Sequence, residues 1–269
     1  MTVIEARGLT HEYPDGTRAV SDIDLTVAAG ERVAVAGPNG SGKSTLGLAL
    51  GGVTEPTAGT VRYFGGTTDA EAVRDRLGVL LQNPDDYLFN TTVRGDIEYG
   101  PAQLGVPEEA AAARVDALAD ELGLEGLLDR PPFRLSGGEK QRAAVASVLA
   151  FDPDVLLLDE PIGTVDARYR ERILDLLDRH EGASVVFTPS LDLVPTVADR
   201  VVLLGADGTV VADDDVRSVL TDRRLLEANG LRPPPAVRLF EGLEADDGGR
   251  IPLTIPAARA RLSGNDADG

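Results

Sequence analysis

The densest chemistry in the chain sits in the run Gly37-Pro38-Asn39-Gly40-Ser41-Gly42-Lys43-Ser44-Thr45. Its glycines let a loop turn backbone N–H groups inward with no Cβ in the way, and a helix starting near Lys43 points its positive end at the same place. Such a loop cradles an anion. Lys43 is expected to reach the β- and γ-phosphates of a nucleotide, Ser44 to offer its hydroxyl to Mg²⁺, and Thr45 to touch a phosphate. The flanks agree, because Val33-Ala34-Val35-Ala36 reads as a buried strand and Leu46-Gly47-Leu48-Ala49-Leu50 as a helix. Strand, glycine-rich turn and helix together are the context a phosphate-binding P-loop requires.

Other stretches carry complementary groups. Val155-Leu156-Leu157-Leu158-Asp159-Glu160-Pro161 is an apolar strand ending in two carboxylates. Asp159 is expected in the Mg²⁺ shell, and Glu160 is expected to poise water for attack on the γ-phosphate. Gln82 ends the strand Gly78 to Gln82 on a lone amide, on the side where open α/β sheets bind nucleotides. In Leu135-Ser136-Gly137-Gly138-Glu139-Lys140-Gln141-Arg142, just before an alanine-rich helix, Ser136, Gly137 and Gly138 form a second place able to hold a phosphate. Tyr13, at a turn preceding the P-loop strands, either stacks on an adenine ring or packs its own turn.

Composition narrows the rest. The chain has 269 residues, 42% of them hydrophobic, enough for one large core or two modest ones with a tail outside them. No run approaches the roughly 18 apolar residues of a membrane span, and Met1-Thr2-Val3-Ile4-Glu5 lacks the features of a signal peptide. A cytosolic location is expected, unless a partner holds the chain at a membrane. With no cysteine, disulfides and thiol chemistry are excluded, and two histidines, His11 and His180, make a histidine-rich metal site a poor prospect. The net charge of −19 repels nucleic acid and anionic lipid, so neither nucleic-acid binding nor direct lipid insertion is expected. Lys43 and Lys140 are the only lysines among 26 basic residues. That acidic, arginine-based surface suggests a salt-adapted, halophilic protein, although ordinary solvated faces explain most individual charges equally well.

In chain order, residues 2 to 35 read as antiparallel strands turning at Pro14-Asp15-Gly16, and Asp69 to Arg76 as a short polar helix. Pro107-Glu108-Glu109 opens a helix with an apolar face at Val115, Leu118, Ala119 and Leu122, expected to run to Pro131-Pro132. A hairpin is expected around Asp207-Gly208, one helix over Asp215 to Asn229, and a break at Pro233-Pro234-Pro235. From about residue 241 a small appendage or disordered tail is expected.

These motifs, in this order and spacing, resemble the nucleotide-binding subunits of ABC transporters, over about the first 230 residues. The Leu135 to Arg142 run resembles that family's signature motif. The stretch Leu81 to Phe89, with Thr92-Val93 and Ile97-Glu98-Tyr99-Gly100-Pro101, looks most like the cobalt-type and energy-coupling-factor importers. The resemblance implies an α/β P-loop NTPase (RecA-like) core with an N-terminal antiparallel β-subdomain and an inserted α-helical subdomain at about 86–150. The ATP-binding domain would span 1–230, with 231–269 as a partly disordered appendage.

By the same likeness Gln82 reaches metal and attacking water, Tyr13 stacks on adenine, and Asp166 belongs to a nucleotide-contacting loop whose other residues, Ile162-Gly163-Thr164-Val165, depart from the family pattern. Two subunits would pair head to tail, so that ATP on one Lys43 is covered by the partner's signature serine and glycines, and pairing would drive transmembrane permease subunits from the cytoplasmic face of the membrane. Where relatives carry a switch histidine this chain has Pro189, and His180 precedes a strand that carries the chain roughly 15 Å at about 3.3 Å per residue. Slow hydrolysis is therefore expected, with weak or absent turnover in a heterodimer as one alternative and a soluble ABC ATPase acting on nucleic acid as another.

Overall fold

The computed structural model describes residues 1–241 and 250–263. Among these residues, β1 (Thr2–Glu12) pairs antiparallel with β2 (Arg18–Ala28). The turn between them closes through Tyr13 N–H to Thr17 O and Gly16 N–H to Tyr13 O, both 2.9 Å. The expected antiparallel layer stops at Ala28. Strand β3 (Arg32–Ala36) crosses to a different sheet, because Val33 to Ala36 are fully buried and leave no solvated face for alternation to mark. Helix α1 (Lys43–Leu50) follows, and β4 (Ala58–Tyr63) returns to pair with β1, completing the three-stranded order β2-β1-β4.

After a 3₁₀ turn at Glu71–Arg76 comes β5 (Leu77–Leu80). The helical arm comprises α2 (Val93–Gln103), α3 (Glu108–Leu122) and α4 (Gly137–Leu149). Helix α3 buries Ala111, Val115, Ala119 and Leu122 and stops at Gly123, not at the expected Pro131-Pro132. Gly123 adopts φ +63°, and a Cβ there would lie 2.2 Å from the Tyr169 hydroxyl, so the left-handed stop is specific to glycine.

The chain continues as β6 (Val155–Asp159), α5 (Ala167–Asp178), β7 (Ala183–Thr188), α6 (Val194–Val197), β8 (Arg200–Leu204) and β9 (Val210–Asp215). These strands join β3 and β5 in a six-stranded sheet ordered β5-β6-β7-β3-β8-β9, parallel except for the edge strand β9. Alternate residues of β3 feed two cores. Val33 and Val35 pack with Leu46, Leu50 and Phe187 between the sheets, whereas Ala34 and Ala36 pack with Leu158, Val145 and Val194 toward the helical side.

The single helix expected over 215–229 is two, α7 (Val216–Thr221) and α8 (Arg223–Ala228). Asp222 divides them with extended-side backbone angles (ψ 85°), and its carboxylate accepts from Leu225 N–H as a fresh N-cap. Pro235 opens α9 (Pro235–Glu241), a first-turn position where proline's missing N–H costs nothing. With α10 (Ile255–Leu262), α9 forms a small cluster of Ala236, Phe240 and Ala258. The described part of the expected appendage is thus helical; residues 242–249 and 264–269, where the disordered tail was also expected, lie outside the described residues.

Candidate nucleotide site

The site follows from strand register. Ala36 lies opposite Thr188, and Asp159 opposite Phe187, so the carboxyl ends of β3, β7 and β6 are level. The loop 37–42, Pro189 and Glu160 therefore leave the sheet side by side, at the edge where parallel sheets place ligands. Gly42 caps α1 at φ +86°, and a Cβ on it would lie 2.1 Å from Ala19 O. Only glycine fits there.

Lys43 is buried, and its Nζ donates to Gly37 O (3.0 Å), Pro38 O (2.9 Å) and Ser41 Oγ (3.5 Å). Burial lowers its pKa, while the nearby charges of Asp159 and Glu160 act in the opposite direction. Burial also raises the Asp159 carboxyl above its ordinary range, against a hydrogen bond from Ser44 that lowers it. Ser44, in the first turn of α1, and Asp159, the last residue of β6, both lie at the carboxyl edge of the sheet. Pro38, Asn39 and Gly40 form the outer turn of the loop; Ser41 is fully buried and Thr45 nearly so.

Glu160 has φ +49°, a left-handed conformation that costs a branched or bulky residue about 1–3 kcal/mol. The surroundings hold it there. Its N–H donates to Phe187 O (3.0 Å), its carbonyl accepts from Gly163 N–H (3.1 Å), and Gln141 Nε2 reaches Glu160 O (3.5 Å) and Pro161 O (3.3 Å). Gln82 Nε2 donates to Glu160 Oε1 at 3.3 Å, so the lone amide and the water-poising candidate meet.

Ser136 N-caps α4 in a capping box: its Oγ accepts from Glu139 N–H (3.4 Å), and Glu139 Oε2 accepts from Ser136 N–H (2.7 Å). That backbone hydrogen bond is the main cause holding the Glu139 carboxyl below its usual range. Gly137 opens the helix, and a Cβ on Gly138 would lie 3.1 Å from Thr164 O. Buried Arg142 braces this end, donating to the carbonyls of Leu122 and Gly123 with its guanidinium 3.9 Å from the Tyr169 ring centre. Among the described residues, no hydrogen bond joins Ser136, Gly137 or Gly138 to the loop 37–45. Asp166 begins α5 with its carbonyl accepting from Tyr169 and Arg170, and its side chain makes no capping bond.

Tyr13 does not simply pack its own turn. Its hydroxyl hydrogen-bonds Thr45 Oγ1 at 2.9 Å, and its ring stands edge-on to His11, 5.0 Å between centres. His180 lies before the amino end of β7, opposite the end that carries Pro189.

Residues 20–163 match the ABC transporter family. The chain belongs to that family. The energy-coupling factor transporter ATP-binding protein EcfA of Carboxydothermus hydrogenoformans is 40% identical over 96% of this chain and 97% of its own length. The cobalt import ATP-binding protein CbiO of Rhodobacter capsulatus is 42% identical over 88% of this chain and 87% of its own. A solved structure of cbiO1 from Clostridium perfringens, part of the ABC transporter complex cbiONQ, superposes with a TM-score of 0.70 at 30% identity, covering 89% of this chain and 99% of that one. The fold is that of ABC ATPases, an α/β P-loop NTPase with an antiparallel subdomain and a helical insertion, and the subtype is energy-coupling-factor or cobalt-type ATPase.

Past the C-terminal end of α1, where Gly51 to Val53 line it, this ABC ATPase has a cleft of about 680 Å³ between the six-stranded sheet and the helical arm. Val53, Phe89, Tyr99 and Leu104 line it and are all exposed, with Phe89 at 61%. The Phe89 and Tyr99 rings meet edge to face at 4.9 Å. Asp96 holds the cleft's rim, its Oδ1 accepting from the N–H groups of Phe89 (2.9 Å) and Asn90 (2.8 Å). Residue reading missed this cleft and the Gln141 bridge to Glu160. Both join residues distant in the chain, and only the adjacent aromatics of the Tyr87 to Phe89 segment hinted at either.

Proposed function

We propose that this chain is the ATP-binding and ATP-hydrolysing subunit of an importer for cobalt, nickel or a vitamin-type solute, powered by head-to-tail closure of two ATPase subunits over ATP. One observation carries the reading: the chain presents two anion cradles, the loop 37–45 and the Ser136–Gly138 helix start, with no hydrogen bond between them. A second subunit supplies the missing half of each site. The roles assigned to Tyr13, Gln82, Asp159, Glu160 and Asp166 belong to this proposal, as does the 1–230 and 231–269 division of the chain.

The groups this reading assigns to the cation are the Ser44 hydroxyl, the Asp159 carboxylate and the Gln82 amide, each able to present an oxygen. They fit a hard divalent cation, and Mg²⁺ there would offset phosphate charge. Lys43 gives up its carbonyl contacts to phosphate oxygens, and Glu160 orients and deprotonates water. Tyr13, already tied to Thr45, offers its ring to adenine.

Pro189, between Thr188 and Ser190, has no side-chain donor where relatives carry the switch histidine, so the hydrogen bond that histidine would give the transferring phosphoryl group is missing. Such a donor is worth about 10²–10³ in rate. Pro189→His is expected to raise ATP turnover at least tenfold in a phosphate-release assay. Unchanged turnover in a folded variant contradicts this. Pro189 also favours a second reading, in which this chain holds the weaker site of a heterodimer.

The cleft receives a cytoplasmic segment of the permease. It is an exposed apolar surface next to the Gln82 segment, and among the described residues no helix is long and apolar enough to cross a membrane. The chain would then sit peripherally at the cytoplasmic face, its −19 charge suited to a salty interior and unsuited to nucleic acid. Phe89→Asp is expected to weaken binding to detergent-solubilised permease by about tenfold or more, as loss of a central aromatic contact does, with Mg-ATP affinity unchanged. Undiminished binding would place the permease elsewhere.

A further inference from the structure

In the proposed sandwich one chain contributes parts to two sites, which hold different nucleotides. Gln82 serves the chain's own nucleotide, and the start of α4 serves the partner's. One ion pair connects them: Lys140 Nζ, on the first turn of α4, donates to Asp85 Oδ1 at 2.6 Å.

Asp85 sits in the 3₁₀ turn Pro84–Tyr87, three residues after Gln82. That turn is pinned elsewhere as well. Asn83 caps it by accepting from Asp85 N–H (3.2 Å), the Tyr87 hydroxyl accepts from Leu81 N–H (2.8 Å), and Gln82 reaches Glu160 (3.3 Å). On the other side Lys140 is followed by Gln141, which grips the carbonyls of Glu160 and Pro161. Among the described residues the turn and α4 thus share one charged contact, at Lys140, while Gln82 before the turn and Gln141 beside Lys140 both reach Glu160. Lys140 is one of only two lysines, the other being Lys43 in the P-loop. Its side chain is 20% exposed and that of Asp85 57%, so solvent screens the pair from the Asp85 side.

We propose that Asp85 and Lys140 are positioning residues that align the Gln82 segment with the start of α4, so that loading of one nucleotide site sets the geometry a chain offers to the other. The proposal rests on the two-chain sandwich described above. Surface ion pairs contribute little to stability, yet a displacement of about 1 Å at a reacting or binding group costs about 10²-fold. Loss of the pair should thus disturb pairing far more than folding.

The test uses the full-length chain carrying Glu160→Gln, with Asp85→Asn, Lys140→Gln, Lys140→Arg and the exchange of Asp85→Lys with Lys140→Asp each added to it. Mg-ATP affinity is measured on dilute monomer, ATP-driven pairing by sedimentation, and folding by thermal melting. Asp85→Asn and Lys140→Gln are expected to weaken pairing at least tenfold, with Mg-ATP Kd within twofold of the parent and Tm nearly constant. Lys140→Arg and the charge exchange should recover pairing to within threefold. Single variants that pair like the parent, or an exchange no better than the singles, overturn the proposal. A parent that never pairs on Mg-ATP identifies the failure as the sandwich itself, and the inter-site role falls with it.

Discussion

Lys43→Ala is expected to lower Mg-ATP affinity by about a hundredfold or more and to abolish turnover. The Lys43 ammonium is buried and held over the loop by Gly37 O, Pro38 O and Ser41 Oγ, with Asp159 and Glu160 favouring its charged form against the cost of burial. No other lysine lies in the loop, and the remaining positive character there comes from backbone N–H groups and the start of α1. Deleting one partner of a buried charged contact costs about 2–5 kcal/mol, and each 1.4 kcal/mol is about tenfold in affinity. Lys43→Arg should not restore binding, because a planar fork does not fit a space shaped for a point charge. Equilibrium titration with a fluorescent ATP analogue checks both, and an affinity within threefold of the parent in Lys43→Ala would contradict the assignment.

The second large effect is expected at Glu160. Glu160→Gln should reduce phosphate release by about 10²–10⁴, the range for a positioned general base, with Mg-ATP affinity retained. The amide matches the carboxylate in size, so the left-handed backbone and its bonds to Phe187 and Gly163 need not change. What is lost is a group able to accept a proton. Removing a negative charge 3.3 Å from Gln82 and close to Lys43 also eases entry of an anionic nucleotide. Turnover within threefold of the parent would assign water activation to another residue.

The parts of the site that were legible in the sequence are those encoded locally. Gly37 to Thr45 carries its strand, turn and helix within a few residues on each side, and Leu158-Asp159-Glu160 ends an uninterrupted apolar strand. Where reading went astray, a distant partner or one backbone angle decided the outcome. Strand β3 looked like a continuation of the antiparallel layer because its buried pairing with β7 lies about 150 residues away in sequence, a separation no local pattern reports. Helix α3 ends at Gly123, whose left-handed angle faces Tyr169, not at the more conspicuous prolines. The helix expected from Asp215 to Asn229 divides because Asp222 caps a new one. Tyr13 with Thr45, and Asp85 with Lys140, become visible only when the chain is folded, since polar side chains of these types are more often solvated than paired.

The chain's central proposed property is that nucleotide joins two subunits. Sedimentation of the full-length Glu160→Gln chain with and without saturating Mg-ATP, alone and mixed with a second energy-coupling-factor ATPase, measures it directly. A monomer that becomes a dimer only with Mg-ATP, and reverts to monomer when Ser136→Arg blocks the lid, is the expected result. A species that stays monomeric under all these conditions, while still binding Mg-ATP, would contradict it.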